Sequence, residues 1–175
     1  MPRKAETASG GAPSSSGPLL HRQATAWAMV LLRLFVGVQF LQAGISKWSW
    51  LGSERLAWQL RQWTTGYNPA TLSSYVSIIR QFFLPHAWGL TYVLVIGEIL
   101  VGVCLALGLL TRTMALPALL LSMNTLLATW NLGPEWQSLN EAFLVMELAL
   151  LLTGAGRFCG LDVSLARKRP QWPFW

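Results

Sequence analysis

Four apolar stretches constrain this chain more than anything else in it: Ala24 to Lys47, Trp88 to Leu110, Met114 to Trp130, and Trp136 to about Thr153. A helix needs roughly 20 residues to cross the hydrocarbon of a bilayer, so each stretch is long enough or nearly so. Together they predict an all-α fold, a four-helix transmembrane bundle. Composition points to the same solvent. Only 11% of the residues are charged and 53% are apolar, whereas a soluble domain carries about 25% charged residues. The 10 tryptophans fit a membrane as well, because an indole ring with one polar N–H is most stable between headgroups and hydrocarbon.

The segments outside the spans set the organisation. Residues 1–23 are rich in Gly, Ser, Pro and Ala without apolar periodicity and read as a disordered tail. The membrane domain covers residues 24–157, and residues 158–175 form a basic tail. The first apolar stretch exceeds a signal-peptide core and contains Arg33, so it reads as a retained anchor. Asn131-Leu132-Gly133-Pro134 is a short turn that makes the third and fourth spans antiparallel, and Thr111-Arg112-Thr113 separates the second from the third. Pro117 falls in the first turns of the third span, where a missing N–H costs least.

The net charge of +6 raises the question of nucleic acid. The basic residues flank apolar runs, however, so anionic lipid and membrane orientation explain them better and no nucleic-acid partner is expected. Arg3, Lys4, Arg22, Arg112, Arg157, Arg167, Lys168 and Arg169 fall on one side, against Lys47, Arg55, Arg61 and Arg80 on the other. Both termini are therefore expected in the cytoplasm, in a multi-pass protein of the cytoplasmic membrane. Trp48, Trp50, Trp88, Trp130 and Trp136 then mark the outer interface, with Trp27, Trp172 and Trp175 at the inner one.

The loop 48–87 carries two amphipathic patterns. Leu56, Leu60 and Trp63 repeat on one helical face. In the second, Asn68 and Pro69 look like an N-cap and first helical residue before Leu72, Val76, Ile79 and Phe83, with Ser73, Ser74, Ser77, Arg80 and Gln81 opposite. These predict short helices in the first extracytoplasmic loop that lie on the membrane surface or cap the bundle.

Inside the spans, Arg33, Gly37, Phe40, Gly44 and Lys47 step by four, three, four and three residues and so share one helical seam; Glu98, Gly102, Leu105, Leu109 and Arg112 repeat the pattern. The glycines on these seams let backbones approach. The charges need another explanation, since a charged group at the bilayer centre costs roughly 2.5–3.5 kcal/mol on insertion scales. At a rise of about 1.5 Å per residue, Arg33 lies roughly 14 Å in from Ala24 and Glu98 roughly 15 Å in from Trp88. Glu147 and Asn124 come to a similar depth, and Asn140 lies seven residues before Glu147, nearer the outside. The expectation is a midplane cluster of Arg33, Glu98, Asn124 and Glu147, with Arg33 paired to Glu98 or Glu147 and the remaining carboxyl protonated. It serves either as glue between helices or as a site for a proton or a quinone headgroup.

Other chemistry finds little support. Cys104 and Cys159 form no CxxC pair, His21 and His86 stand alone, and no phosphate loop, nucleophile elbow or metal-spaced cluster is present. No metal is expected and no covalently bound cofactor; any redox group is borrowed.

The strings LLRLFVGVQFLQAGISKW, GEILVGVCLALGLLTR and GAGRFCGLD resemble three signature regions of the DoxX family, which includes the small subunit of thiosulfate:quinone oxidoreductase, over roughly residues 28–163. The resemblance implies a four-helix membrane protein with cytoplasmic termini, tied to redox chemistry as a subunit of a quinone-reducing enzyme or as an anchor for oxidative-stress proteins. It marks Arg33, Gly37, Gly44 and Lys47, then Glu98, Gly102, Gly108 and Arg112, then Gly154, Gly156, Arg157 and Asp162 as motif positions. The expected function is a membrane subunit of a quinone-linked oxidoreductase, with another subunit or a soluble redox protein as partner. The alternatives are a scaffold that recruits soluble redox enzymes through Arg157 and the basic tail, and a small transporter.

Overall fold

The computed structural model describes residues 17–65, 71–153 and 161–162. The chain before Gly17, the Asn68-Pro69 helix start, Gly154, Gly156, Arg157 and the tail after Asp162 lie outside the described residues. Among the described residues the fold is all-α. Six α-helices follow in order: α1 (Gly17–Ser46), α2 (Arg55–Thr64), α3 (Ser73–Ile78), α4 (Ala87–Leu107), α5 (Thr111–Ala128) and α6 (Pro134–Thr153). Single tight turns at Trp48–Trp50 and Trp130–Leu132 follow α1 and α5, and α3 runs on into a π-helical stretch, Ile79–Phe83. Two segments, Gln23–Trp50 and Ala87–Leu107, have the length and apolar composition to cross a membrane. α5 and α6 fall short of that measure, the first interrupted by Ser122, Asn124 and Thr125, the second by Asn140, Glu141 and Glu147.

Two boundaries differ from those expected. α1 starts at Gly17 rather than near Ala24, because Pro18 supplies a φ suited to a first helical turn and Leu19-Leu20 continues it. The break between α4 and α5 is Gly108–Leu110, not Thr111–Thr113. Gly108 adopts a left-handed φ of 66° and ends α4, with the Leu109 N–H donating to the Cys104 carbonyl at 2.8 Å. Arg112 therefore belongs to α5 and cannot extend the α4 seam.

α1 and α4 pack antiparallel along the glycine seams. A Cβ on Gly37 would stand 2.7 Å from the Ala106 backbone nitrogen, one on Gly102 2.5 Å from that of Leu41, and one on Gly44 2.9 Å from that of Ile99. Backbone meets backbone here, and no side chain can be inserted. α5 and α6 form the second antiparallel pair. Arg112 Nη2 donates to the Leu152 carbonyl at 3.1 Å near one end, and Asn140 Nδ2 donates to Thr129 Oγ1 at 3.5 Å near the other. A core of Val36, Phe40, Val101, Leu105, Ala115, Ala118 and Leu150 joins all four long helices.

The loop helices cap one end of this assembly. Leu56, Leu60 and Ile79 are buried together with Ala87 and Ala128, and the loop is tied to the end of α5 by backbone polar groups. Thr71 Oγ1 donates to the Ala128 carbonyl at 3.0 Å, the Leu72 N–H to the Leu127 carbonyl at 3.0 Å, and Asn131 Nδ2 to the Thr71 carbonyl at 3.2 Å. Arg80, placed by its pattern on the polar face, donates to the Thr64 carbonyl and joins α3 to α2. Large apolar side chains line the outside of the long helices, among them Leu31, Val93, Ile96, Leu100, Leu120 and Val145, while Trp48, Trp88 and Trp136 are exposed at the capped end. Such a surface is matched to hydrocarbon bounded by an interface.

The glycine contact yields a sharp expectation. Gly37→Ala or Gly102→Ala forces two backbones apart and should cost about 1–3 kcal/mol, read as a lower unfolding temperature in mild detergent. Gly97→Ala, on the same helix, adds a Cβ with nothing within 4 Å and should leave stability unchanged or slightly raised. Equal losses in all three variants would remove the backbone contact as the cause.

Candidate functional site

Antiparallel packing decides which polar groups meet. Every Cα–Cβ bond tilts toward the N-terminus of its own helix. Lys47, at the end of α1, therefore leans back toward the bundle, and Glu98, midway along α4, leans toward the capped end. They converge: Lys47 Nζ donates to Glu98 Oε1 at 2.5 Å, with Glu98 almost wholly buried and Lys47 about a quarter exposed (8% and 24%). Glu147 follows the same logic on α6, where Ser122 Oγ of α5 donates to its Oε1 at 2.6 Å. Among the described residues nothing hydrogen-bonds Oε2 of either carboxylate.

A cavity of about 210 Å³ lies against the ion pair, lined by Gln39, Phe40, Ala43, Lys47, Glu98, Leu121, Ser122, Thr125, Asn140 and Phe143. It is framed by α1, α4, α5 and α6. Its walls alternate aromatic or aliphatic surface with a cation, a carboxylate, two amides and two hydroxyls. Asn140 is anchored by donating from Nδ2 to the Trp136 carbonyl at 2.8 Å. Phe143 is stacked on Phe35 with ring centroids 6.2 Å apart.

The midplane cluster expected from the sequence is only partly assembled. Glu98 lines the cavity and Glu147 reaches it through Ser122, but Arg33 does not pair with Glu98. Gly37 abuts Ala106, so Arg33, one turn earlier, stands level with the Gly108–Leu110 turn, about ten residues and roughly 15 Å of helix rise from Glu98. Counted depth from Ala24 differs from true depth because α1 begins earlier and overruns the end of α4. Glu147 is held by Ser122 instead of Arg33. Asn124 also falls elsewhere: it shares a depth with Ser122 but sits about 200° around α5 from it, and its Oδ1 accepts from Tyr75 of α3 at 2.7 Å. Burial pushes the Tyr75 phenol above its usual range, which keeps it a donor.

That second environment is a larger and almost wholly apolar cavity of about 360 Å³, bounded by Leu56, Leu60, Tyr75, Phe83, Leu90, Val93, Leu94, Leu120, Leu121 and Asn124. Leu121 forms a wall of both cavities.

Gln39 and Ser122 also line the cavity, and the sequence carries a faint signal for each. Gln39, Ala43 and Lys47 repeat at four residues and mark the face of α1 turned into the cavity, while Ala115, Ala118 and Ser122 form a small-residue stripe at steps of three and four whose alanines sit in the core and whose serine reaches the cavity.

At the opposite end Asp162, fully buried, has a structural task. Its carboxylate accepts the N–H of Leu110 at 2.6 Å and of Thr111 at 2.9 Å, and its own N–H donates to the Gly108 carbonyl at 3.0 Å. The unpaired donors at the start of α5 are thus capped by a residue from beyond α6, and Leu110 is held at a left-handed φ of 50°. Gly108 and Asp162 build this turn and Arg112 ties α5 to α6 beside it; none of the three borders the cavity.

The separation of Arg33 from Glu98 is measurable. Arg33→Gln and Glu98→Gln should lower the unfolding temperature additively, because distant sites add within about 0.3–0.5 kcal/mol. A coupling well beyond that would place the two side chains in contact.

Among known proteins, no solved structure matches the chain. A family match does exist: the DoxX profile covers residues 28–132. The matched region takes in α1 from Ala28, both loop helices, α4 and α5, and with them Gly37, Gly44, Lys47, Glu98 and Gly102; α6 with Glu147 and the terminal GAGRFCGLD lie beyond it. The glycine contact and the ion pair both fall within a match that spans more than half of the chain, and on that ground the protein belongs to the DoxX family of membrane proteins.

Proposed function

We propose that this chain is a quinone-binding membrane subunit of an oxidoreductase, spanning the cytoplasmic membrane four times with both termini in the cytoplasm. The observation that supports this reading is the Lys47–Glu98 cavity: polar groups able to orient a carbonyl-bearing ring, set in a wall of Phe40, Phe143 and Leu121, on helices whose outer faces are apolar. A quinone needs such a mixture, an apolar slot for the ring and a few donors for its oxygens.

The residues present suit that ligand. Lys47 Nζ and the Gln39 amide are the donors toward a ligand; Ser122 and Asn140 border the same space but spend their hydrogens on Glu147 and on Trp136 and Thr129. When bound, a quinone accepts two electrons and two protons. Glu98 holds the Lys47 ammonium in place through Oε1 while Oε2 remains available for a proton. A ring packed on Phe40, Phe143 and Leu121 would shield the polar groups from bulk water, which strengthens each hydrogen bond to a ligand. Electrons would come from another subunit or a soluble redox protein. Thiosulfate oxidation is one donor reaction the family suggests.

A decyl-tailed benzoquinone titrated into the detergent-solubilised protein tests this. At about 100 times its Kd a ligand adds about 2.7 kcal/mol, worth roughly 5–10 °C in unfolding temperature for a chain of this size. Lys47→Met should lose the shift and Asn124→Leu should keep it. No shift in the wild type at saturating analogue, or an equal shift in Lys47→Met, would refute the site.

A further inference from the structure

The larger cavity is separate from the polar one and calls for a different occupant. It is a cleft between α4 and α5 roofed by α2 and α3, and its walls are leucine, valine and phenylalanine save for Tyr75 and Asn124. Its mouth is marked by Val93 and Leu120, which are 70% and 61% exposed. They continue into the exposed apolar strips of Ile96 and Leu100 on α4 and Leu116 and Met123 on α5. In a membrane protein those strips face lipid, so the cleft opens sideways into hydrocarbon. Apolar cavities exclude water, and one of roughly 150 Å³ admits benzene. By that measure about 360 Å³ holds roughly a dozen carbon atoms, the size of a chain segment rather than of a small solute.

The polar end fixes what the chain carries. Asn124 uses its Oδ1 to accept from Tyr75 at 2.7 Å, and no hydrogen bond from its Nδ2 occurs among the described residues. The amide is thus turned by Tyr75 so that its N–H donors remain for an acceptor in the cavity. Asn124 also lies only four residues before the end of α5 at Ala128, roughly 6 Å of helix, and Ala128 is buried together with Ala87, the neighbour of the exposed Trp88 that marks the interface. Ester carbonyls of bilayer lipids occupy that level, just below the headgroups.

We propose that this cleft is a lipid site: it takes one acyl chain of a bilayer phospholipid from the side, packs the chain against Leu60, Phe83, Leu90 and Leu94, and hydrogen-bonds the ester carbonyl through Asn124 Nδ2. The site is independent of the quinone reading. Its occupant adds to the roof contact between α2, α3 and the bundle, beside the direct packing of Leu56, Leu60 and Ile79 on Ala87 and Ala128.

Photolabelling of the full-length protein tests it. The protein is reconstituted in phosphatidylcholine vesicles free of quinone, containing a phosphatidylcholine with a diazirine in its acyl chain, and labelled residues are mapped by mass spectrometry. Label is expected on Leu60, Phe83 or Leu90 as well as on the lipid-facing Val145. Leu94→Trp fills the cleft from α4 and Leu56→Trp fills it from α2. Each should cut the deep labelling roughly tenfold while Val145 labelling is unchanged, which also verifies that the variant is folded. An ester-linked probe should outcompete its ether-linked counterpart a few-fold in wild type, the worth of one net hydrogen bond, and in Asn124→Leu that preference should vanish. Absence of deep label in the wild type, deep label undiminished in both filled variants, or deep label obtained only with a diazirine-tailed benzoquinone would each overturn the lipid assignment. Equal use of ester and ether probes by the wild type would overturn the carbonyl contact.

Discussion

The close approach of α1 and α4 at Gly37, Gly44 and Gly102 fixes everything that follows, because two backbones separated by less than the width of a methyl group have one register. With Gly37 against Ala106 and Gly44 against Ile99, the end of α1 comes level with the middle of α4, and the tilt of helical side chains brings Lys47 and Glu98 together. The carboxylate can then stay buried with a cation at 2.5 Å, which an uncompensated charge in this environment could not do. A cavity survives beside the pair because α5 and α6 contribute small or polar residues, Ser122, Thr125 and Asn140, where larger apolar side chains would have filled it.

Much of this was legible in the sequence. Helical steps of three and four picked out the glycine seams, and the same steps put Lys47 on the seam that carries Gly37 and Gly44. Depth counted from the first apolar residue of each span gives the wrong partner for Glu98, Arg33 instead of Lys47. Helix ends are poor rulers. α1 gains additional turns from Gly17 onward that extend past the end of α4, so Arg33 and Glu98 match in counted depth and not in space. Asn124 was misplaced for a related reason: depth alone ignores rotation about the helix axis, and two residues along α5 is enough to change one cavity for the other. Ser122 escaped notice since a serine in an apolar run gives little signal until its small-residue stripe with Ala115 and Ala118 is read as a buried face.

The two ends of the molecule are stabilised by different means. At the Asp162 end a single carboxylate caps the start of α5 and holds a strained Leu110, so the terminal motif belongs to the fold of the α4–α5 turn. At the other end the amphipathic loop helices turn Leu56, Leu60 and Ile79 onto Ala87 and Ala128 and close the bundle as a lid, where amphipathicity alone equally allowed them to lie on a membrane surface. The lid covers a cleft rather than a filled core, and Leu121 divides that cleft from the polar cavity. Changes to this one side chain therefore act on both spaces at once.

The Lys47–Glu98 pair is the point on which register, cavity and proposed chemistry converge, and exchanging its charges tests it most directly. Lys47→Glu and Glu98→Lys should each lower the yield of folded, monodisperse protein by placing like charges together, and the double exchange should restore it, with an unfolding temperature near that of the wild type. A double variant no better than either single, or rescue of Glu98→Lys by Arg33→Glu in place of Lys47→Glu, would contradict the pairing and the helix register beneath it.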